Sequence, residues 1–123
     1  MKKHALVLFA HGARDARWAA PFQSLQKIVQ EQAPDMTVAL AFLELMSPRL
    51  PELAVELVAA GVEDVTIVPV FFGQGGHVLR DLPLIVETLR AEYPHVNFKT
   101  VDAVGEDAKV QQAIATYCLG SMA

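Results

Sequence analysis

The chain reads as an α/β protein: an open four-stranded parallel sheet with helices on both faces. Three observations predict this. Four apolar runs recur along the 123 residues, at 5–10, 37–45, 64–72 and 97–104. Between and after them lie segments whose apolar residues keep helical spacing. The runs are also nearly continuous in hydrophobicity rather than alternating, as parallel strands covered on both faces require. A β-α order repeated four times with right-handed crossovers gives an open sheet. The expected strand order is 2-1-3-4.

The first strand, "ALVLFA" (5–10), breaks off into His11-Gly12. Lys2-Lys3 ahead of it imitates a secretion signal, but the apolar stretch Ala5 to Ala10 is shorter than the roughly 7–15 residues such signals carry. Trp18, Phe22, Leu25 and Val29 share one face of the first helix. The second strand, "TVALAFLEL" (37–45), ends at Glu44. Ser47-Pro48 reads as the start of the second helix. That helix carries Leu50, Leu53, Ala54, Leu57 and Val58 on one stripe, and Gly61 ends it.

The third strand, "DVTIVPVFF" (64–72), runs into "GQGGH" and delivers His77 to the start of the third helix. Leu82, Ile85, Val86 and Leu89 line that helix, and Pro94 stops it. "NFKTVDAV" (97–104) is more mixed, as an edge strand would be. Val110, Ala113, Ile114 and Tyr117 mark a fourth helix, and Cys118 is expected to pack on its apolar face.

A chain this long makes one domain, spanning 1–123. With 53% hydrophobic residues it can bury a core without a disulfide or a structural metal. The single cysteine suits a reducing compartment, and a cytoplasmic location is expected. A net charge of −4 argues against nucleic acid as a partner. No stretch approaches the roughly 20 apolar residues of a membrane span.

In open α/β sheets, ligands bind beyond the carboxyl ends of the strands. His11, Glu44 and His77 all fall at that edge. With order 2-1-3-4 their strands are neighbours, about 4.8 Å apart. Imidazole plus carboxylate suits cobalt, nickel, iron or zinc, and the same groups can move protons near neutral pH.

Each residue also has an ordinary reading. His11 could cap a helix, and Glu44 could be an exposed strand end or half of an ion pair. "GQGG" could be a plain turn, although Gly73, Gly75 and Gly76 also allow a ligand close to the backbone. Convergence of the three on one edge favours a site. His4 and His95 lie at the opposite edge and read as surface residues, while Phe72 is late enough to face a ligand.

Four of the five arginines, Arg14, Arg17, Arg49 and Arg80, gather at the same edge. Cations are unfavourable near helix N-termini. Their presence there points to an anionic ligand, carboxylates or phosphates.

"HGARD", "FLELMSPRLPE" and "VPVFFGQGGHVLRDLP" together resemble the small CbiX-type sirohydrochlorin cobaltochelatases, among the class II chelatases. The likeness runs in order through nearly the whole chain. It implies a flavodoxin-like, chelatase-like single lobe. The implied activity is insertion of a divalent metal, typically cobalt but in relatives nickel or iron, into sirohydrochlorin on the way to cobalamin or related tetrapyrroles. The metal is then a substrate, and no organic cofactor is implied.

The family's histidines map onto His11 and His77, and its acidic partner onto Glu44, as metal-holding and catalytic groups. Arg14, Arg17, Arg49 and Arg80, with Gly75 and Gly76, would meet the carboxylates of the macrocycle. Short members pair as homodimers around the tetrapyrrole. Neutral imidazole is needed for ligation, so activity is expected to fall on acidification through the ordinary histidine range, about 6.5. Two alternatives remain: a non-catalytic metal or tetrapyrrole carrier, and a histidine-phosphatase-like enzyme. The latter normally has arginine just before its histidine, where this chain has Ala10.

Overall fold

The computed structural model describes residues 2–73 and 76–122, and for residues 76–79 the backbone alone. In chain order the elements are β1 (Lys3–Ala10), a 3-10 turn (Ala16–Ala19), α1 (Ala20–Gln32), β2 (Thr37–Phe42) and α2 (Leu50–Ala59). Then follow β3 (Val62–Pro69), α3 (Gly76–Glu92), β4 (Asn97–Thr100), a second 3-10 turn (Val104–Glu106) and α4 (Ala108–Gly120). The strands form one sheet in the order β2-β1-β3-β4, and every pairing is parallel. This is the expected order, with the most continuously apolar strand, β1, in the middle.

Alternate residues of each strand serve opposite layers. Val7, Phe9, Val65, Ile67 and Phe98 face α2 and α3, packing against Leu50, Leu53, Leu57, Leu82, Val86 and Leu89. Leu8, Ala10, Val38, Leu40 and Phe42 face the other way, toward Trp18, Phe22, Leu25 and Val29 of the first 3-10 turn and α1. Burying each large apolar side chain contributes roughly 1.5–3 kcal/mol, so these two layers hold the sheet between helices. Two aromatic groups brace the carboxyl edge, one on each face: Phe9 with Phe71, and Trp18 with Phe22 and Phe42.

Three expectations are corrected. Helix α2 begins at Leu50 with Pro51 in its first turn, not at Ser47-Pro48. The Phe42 N–H donates to the Pro48 carbonyl at 2.9 Å, and Arg49 pairs alongside Phe42. That pairing draws the segment back onto β2 before a helix can start. Glu52, at the third helical position, accepts from the Arg49 N–H at 2.7 Å and caps the true start. Gly61 does end α2, with φ +86 just past the helix.

Strands β2, β3 and β4 also stop short of the apolar runs that predicted them. Past Phe42, Pro69 and Thr100 the regular ladder gives way to single main-chain bonds, such as Val70 N–H to the Phe9 carbonyl and Val101 N–H to the Ile67 carbonyl. Lastly, Cys118 is exposed rather than packed. No residue of α4 is buried, and its packing is with the second 3-10 turn rather than with a core layer. Among the described residues, no helix is long and apolar enough to cross a membrane.

Candidate functional site

Two loops at the carboxyl edge are stitched together by their main chains. Beyond the last strand residues, the Leu43 N–H donates to the Ala10 carbonyl at 2.9 Å, and the Glu44 N–H donates to the His11 carbonyl at 3.1 Å. The β1–β2 ladder therefore continues two steps past the sheet and holds His11 and Glu44 in register. Gly12 follows with φ +101, and a Cβ there would sit 1.8 Å from the Glu44 carbonyl oxygen. Only glycine allows so close an approach. On the other loop, Leu45 takes φ 68, a left-handed conformation that costs a non-glycine residue about 1–3 kcal/mol.

The side chains meet as the backbone directs them. His11 Nε2 lies 3.1 Å from Glu44 Oε2. Both are open to solvent, at 44% and 54% exposure, so as an ion pair the contact adds about 1 kcal/mol of stability at most. Its use is chemical. A nitrogen and an oxygen donor held about a right angle apart on one ion, each about 2.0–2.2 Å from it, are themselves roughly 3 Å apart. The pair as it stands has that bite.

His77 is the second residue of α3, which follows β3, the strand next to β1 on the side away from β2. Its backbone is thus at the same edge. Its side chain lies outside the described residues, as do Gly75 and the side-chain surroundings of Gly76. Among the described residues, no group of three or more His, Cys, Asp or Glu side chains gathers closely enough to hold a metal. Two of the three expected ligands are therefore brought together.

The arginines divide. Arg17 grips Asp15, with Nη2–Oδ2 at 2.8 Å and Nε 3.2 Å from both carboxylate oxygens. Asp15 in turn accepts from the Arg17 N–H at 2.9 Å as the cap of the first 3-10 turn. The Arg17 guanidinium, and after it that backbone bond, hold the Asp15 carboxyl below the usual aspartate range. Arg14 and Arg80 are exposed. Arg49 lines a depression of about 270 Å³ with Leu45, Met46, Ser47 and Glu52, directly beside the Glu44 loop. Its guanidinium Nε is 4.0 Å from Glu52.

His4 lies at the far end of β1, 3.8 Å from Asp64, and His95 is exposed, so both stay outside the site. Phe72, at 74% exposure, stands clear of the core at the site edge. Sequence reasoning missed the roles of Gly12 and Leu45. Gly12 was read only as the point where the first strand breaks off, and nothing local marks Leu45 as strained.

The CbiX family model matches residues 5–117. The chain belongs to the CbiX family. A sirohydrochlorin cobaltochelatase of Methanopyrus kandleri is 33% identical over 79 residues, covering 64% of this chain and 55% of the relative. One from Methanothermobacter thermautotrophicus is 33% identical over 84 residues, covering 68% and 58%. The chain therefore matches little more than half the length of these curated relatives.

Among solved structures, a CbiX protein of Marinobacter aquaeolei superposes with TM-score 0.86 at 31% identity, covering 97% of both chains. The cobalt complex of the sirohydrochlorin chelatase SirB from Bacillus subtilis superposes with TM-score 0.81 at 20% identity. There the CbiX-family chain is covered over 93% of its length but accounts for only 49% of the larger protein.

Proposed function

We propose that the chain is a sirohydrochlorin chelatase that inserts a divalent metal ion, cobalt first among the candidates, and that it works as a homodimer. The observation that carries this reading is the His11–Glu44 pair, 3.1 Å apart at the carboxyl edge of a CbiX-family sheet. Relatives named as sirohydrochlorin cobaltochelatases and a cobalt-bound chelatase of the same fold support it.

Metallation requires the ion to shed water while two pyrrole N–H protons leave the macrocycle. His11, Glu44 and His77 are assigned to hold the incoming ion, with one of them accepting a proton as the ring nitrogens take over. An exposed site suits this task, since the ion has to be handed on and a closed, saturated cage would retain it. Arg14, Arg49 and Arg80 offer guanidinium groups to the carboxylates of the substrate. Arg17 can do so only in competition with Asp15. Nickel and iron remain alternatives that donor chemistry alone does not separate.

The test is to mix the chain with sirohydrochlorin and Co²⁺, Ni²⁺ or Fe²⁺ in turn and follow the absorbance change of the macrocycle. His11→Ala and His77→Ala are each expected to slow metallation about a hundredfold or more. Metallation at the parent rate by both variants would overturn the assignment. Tetrapyrrole bound without turnover by any metal would make the chain a carrier instead.

A further inference from the structure

Gly105 is buried in the second 3-10 turn and is engaged through its N–H, its carbonyl and its α-carbon. The N–H donates to the Phe71 carbonyl at 3.0 Å, and the carbonyl accepts from Gln111 Nε2 at 2.9 Å. The α-carbon lies against the next residue of the Phe71 loop. A Cβ built there would fall 1.7 Å from the Phe72 carbonyl oxygen, 2.3 Å from its carbonyl carbon and 2.4 Å from its α-carbon. All three are main-chain atoms, so no side chain can swing aside to make room.

What this clamp holds is the chain as it leaves β3. The Val70 N–H donates to the Phe9 carbonyl at 2.8 Å. Phe72 stands two residues beyond that bond on one strand, and His11 two residues beyond it on the other. Strands β3 and β2 flank β1 on opposite sides, so Phe72 borders His11 on the side away from Glu44. The two phenylalanines part here. Phe71 turns inward, its ring edge-on to Phe9 with centroids 6.0 Å apart. Phe72 turns outward and is 74% exposed. Leaving so large a ring in water forfeits the gain from burying it, and the clamp beneath fixes where it stands.

We propose that Phe72 is a substrate-contact residue, its ring meeting the apolar centre of the tetrapyrrole beside the metal-holding pair. Gly105 is the positioning residue that keeps it there. The inference rests on the chelatase reading above and deepens it, giving the face of the macrocycle a partner where the arginines take its carboxylates. Ring nitrogens have to come within reach of an ion at His11 and Glu44. That brings the centre of the macrocycle, not its charged rim, over this part of the edge. An apolar side chain is what such a centre can bury, and an aromatic one can also stack on it. Held on a fixed backbone, it binds without first having to be ordered.

Equilibrium titration of the full chain with metal-free sirohydrochlorin, read by the absorbance of the macrocycle, tests both parts. Phe72→Ala should raise the Kd about tenfold, and Phe72→Leu, which keeps apolar area, should recover most of that loss. The melting temperature and the affinity for Co²⁺ alone should hold in both variants, because the ring is exposed and His11 and Glu44 are untouched. Gly105→Ala should also raise the Kd about tenfold. The double variant Gly105→Ala/Phe72→Ala should bind no worse than either single change, since one acts through the other.

Tetrapyrrole bound as tightly by Phe72→Ala as by the parent overturns the contact. Losses that multiply to about a hundredfold in the double variant overturn the positioning role. Should Gly105→Ala fail to fold, Gln111→Ala frees the Gly105 carbonyl without a collision. It should weaken binding about threefold and add nothing to Phe72→Ala, and parent affinity there overturns the clamp. A parent chain that binds no sirohydrochlorin removes the chelatase reading together with this one. Full binding by Phe72→Ala removes this one alone.

Discussion

The His11–Glu44 edge and helix α4 are both exposed, yet the first is held far more tightly than the second. At the edge, two inter-loop main-chain hydrogen bonds, a glycine fitted against a carbonyl and one left-handed leucine all act on six residues. Helix α4 has regular geometry and an Asp107 cap whose carboxylate accepts from Lys109 and Val110 N–H groups, but no core to face. Exposure does not measure constraint. Constraint comes from how many backbone and packing interactions converge on a residue, and they converge where the sheet's strands end.

The widest gap between the two regions should appear on truncating side chains. Phe9→Ala, beneath the edge and fully buried, is expected to cost about 3–5 kcal/mol in a denaturant melt. Leu119→Ala, 70% exposed on the flank of α4 away from its stripe, should stay within about 0.5 kcal/mol. Comparable losses would mean that α4 is packed in a way its exposure does not reveal.

A paired glycine experiment sharpens the same contrast. Gly61→Ala meets nothing nearer than a Lys3 side-chain carbon at 3.8 Å, so it should cost only the left-handed penalty, about 1–2 kcal/mol. Gly12→Ala adds a collision with the Glu44 carbonyl and should cost at least about twice that, with loss of metallation beyond what stability explains. Equal costs would show that the two loops can part freely.

Glu44→Gln keeps the shape of the edge and removes its charge. Metallation is expected to slow about 10–100-fold while the melting temperature hardly moves, because the pair is open to water. An unchanged rate would leave Glu44 a bystander.

The smallest effect concerns Asp15. Its folded pKa is depressed by Arg17, so its contribution to stability is present above the ordinary aspartate range and is lost as pH falls through the lower folded value. Asp15→Asn should therefore narrow the difference in melting temperature between neutral and strongly acidic solution. If the difference stays the same, the ion pair on this exposed turn contributes nothing.

Much of this molecule was legible in advance because its signals are local and repeated. The buried run at Val7–Ala10 announced a central strand, and the Leu50–Val58 stripe announced α2. The chain ends of β1 and β2 put His11 and Glu44 at one edge through topology alone. The start of α2 was misread because Ser47-Pro48 carries a helix-start signal that a long-range bond from Phe42 overrides. The α4 stripe was read correctly as a helix and Cys118 on it wrongly as packed, since periodicity says which residues share a face and nothing about what lies opposite.

By itself, then, the order of residues determined the class of fold, the neighbours in the sheet and the edge at which chemistry is possible, because hydrophobic period and crossover handedness act within short stretches of chain. Tertiary structure alone decided that His11 and Glu44 touch, that Gly12 must be bare and that α4 stands without a core. Each of those depends on where a distant segment's carbonyl, carboxylate or apolar surface comes to rest, and no local pattern encodes that distance.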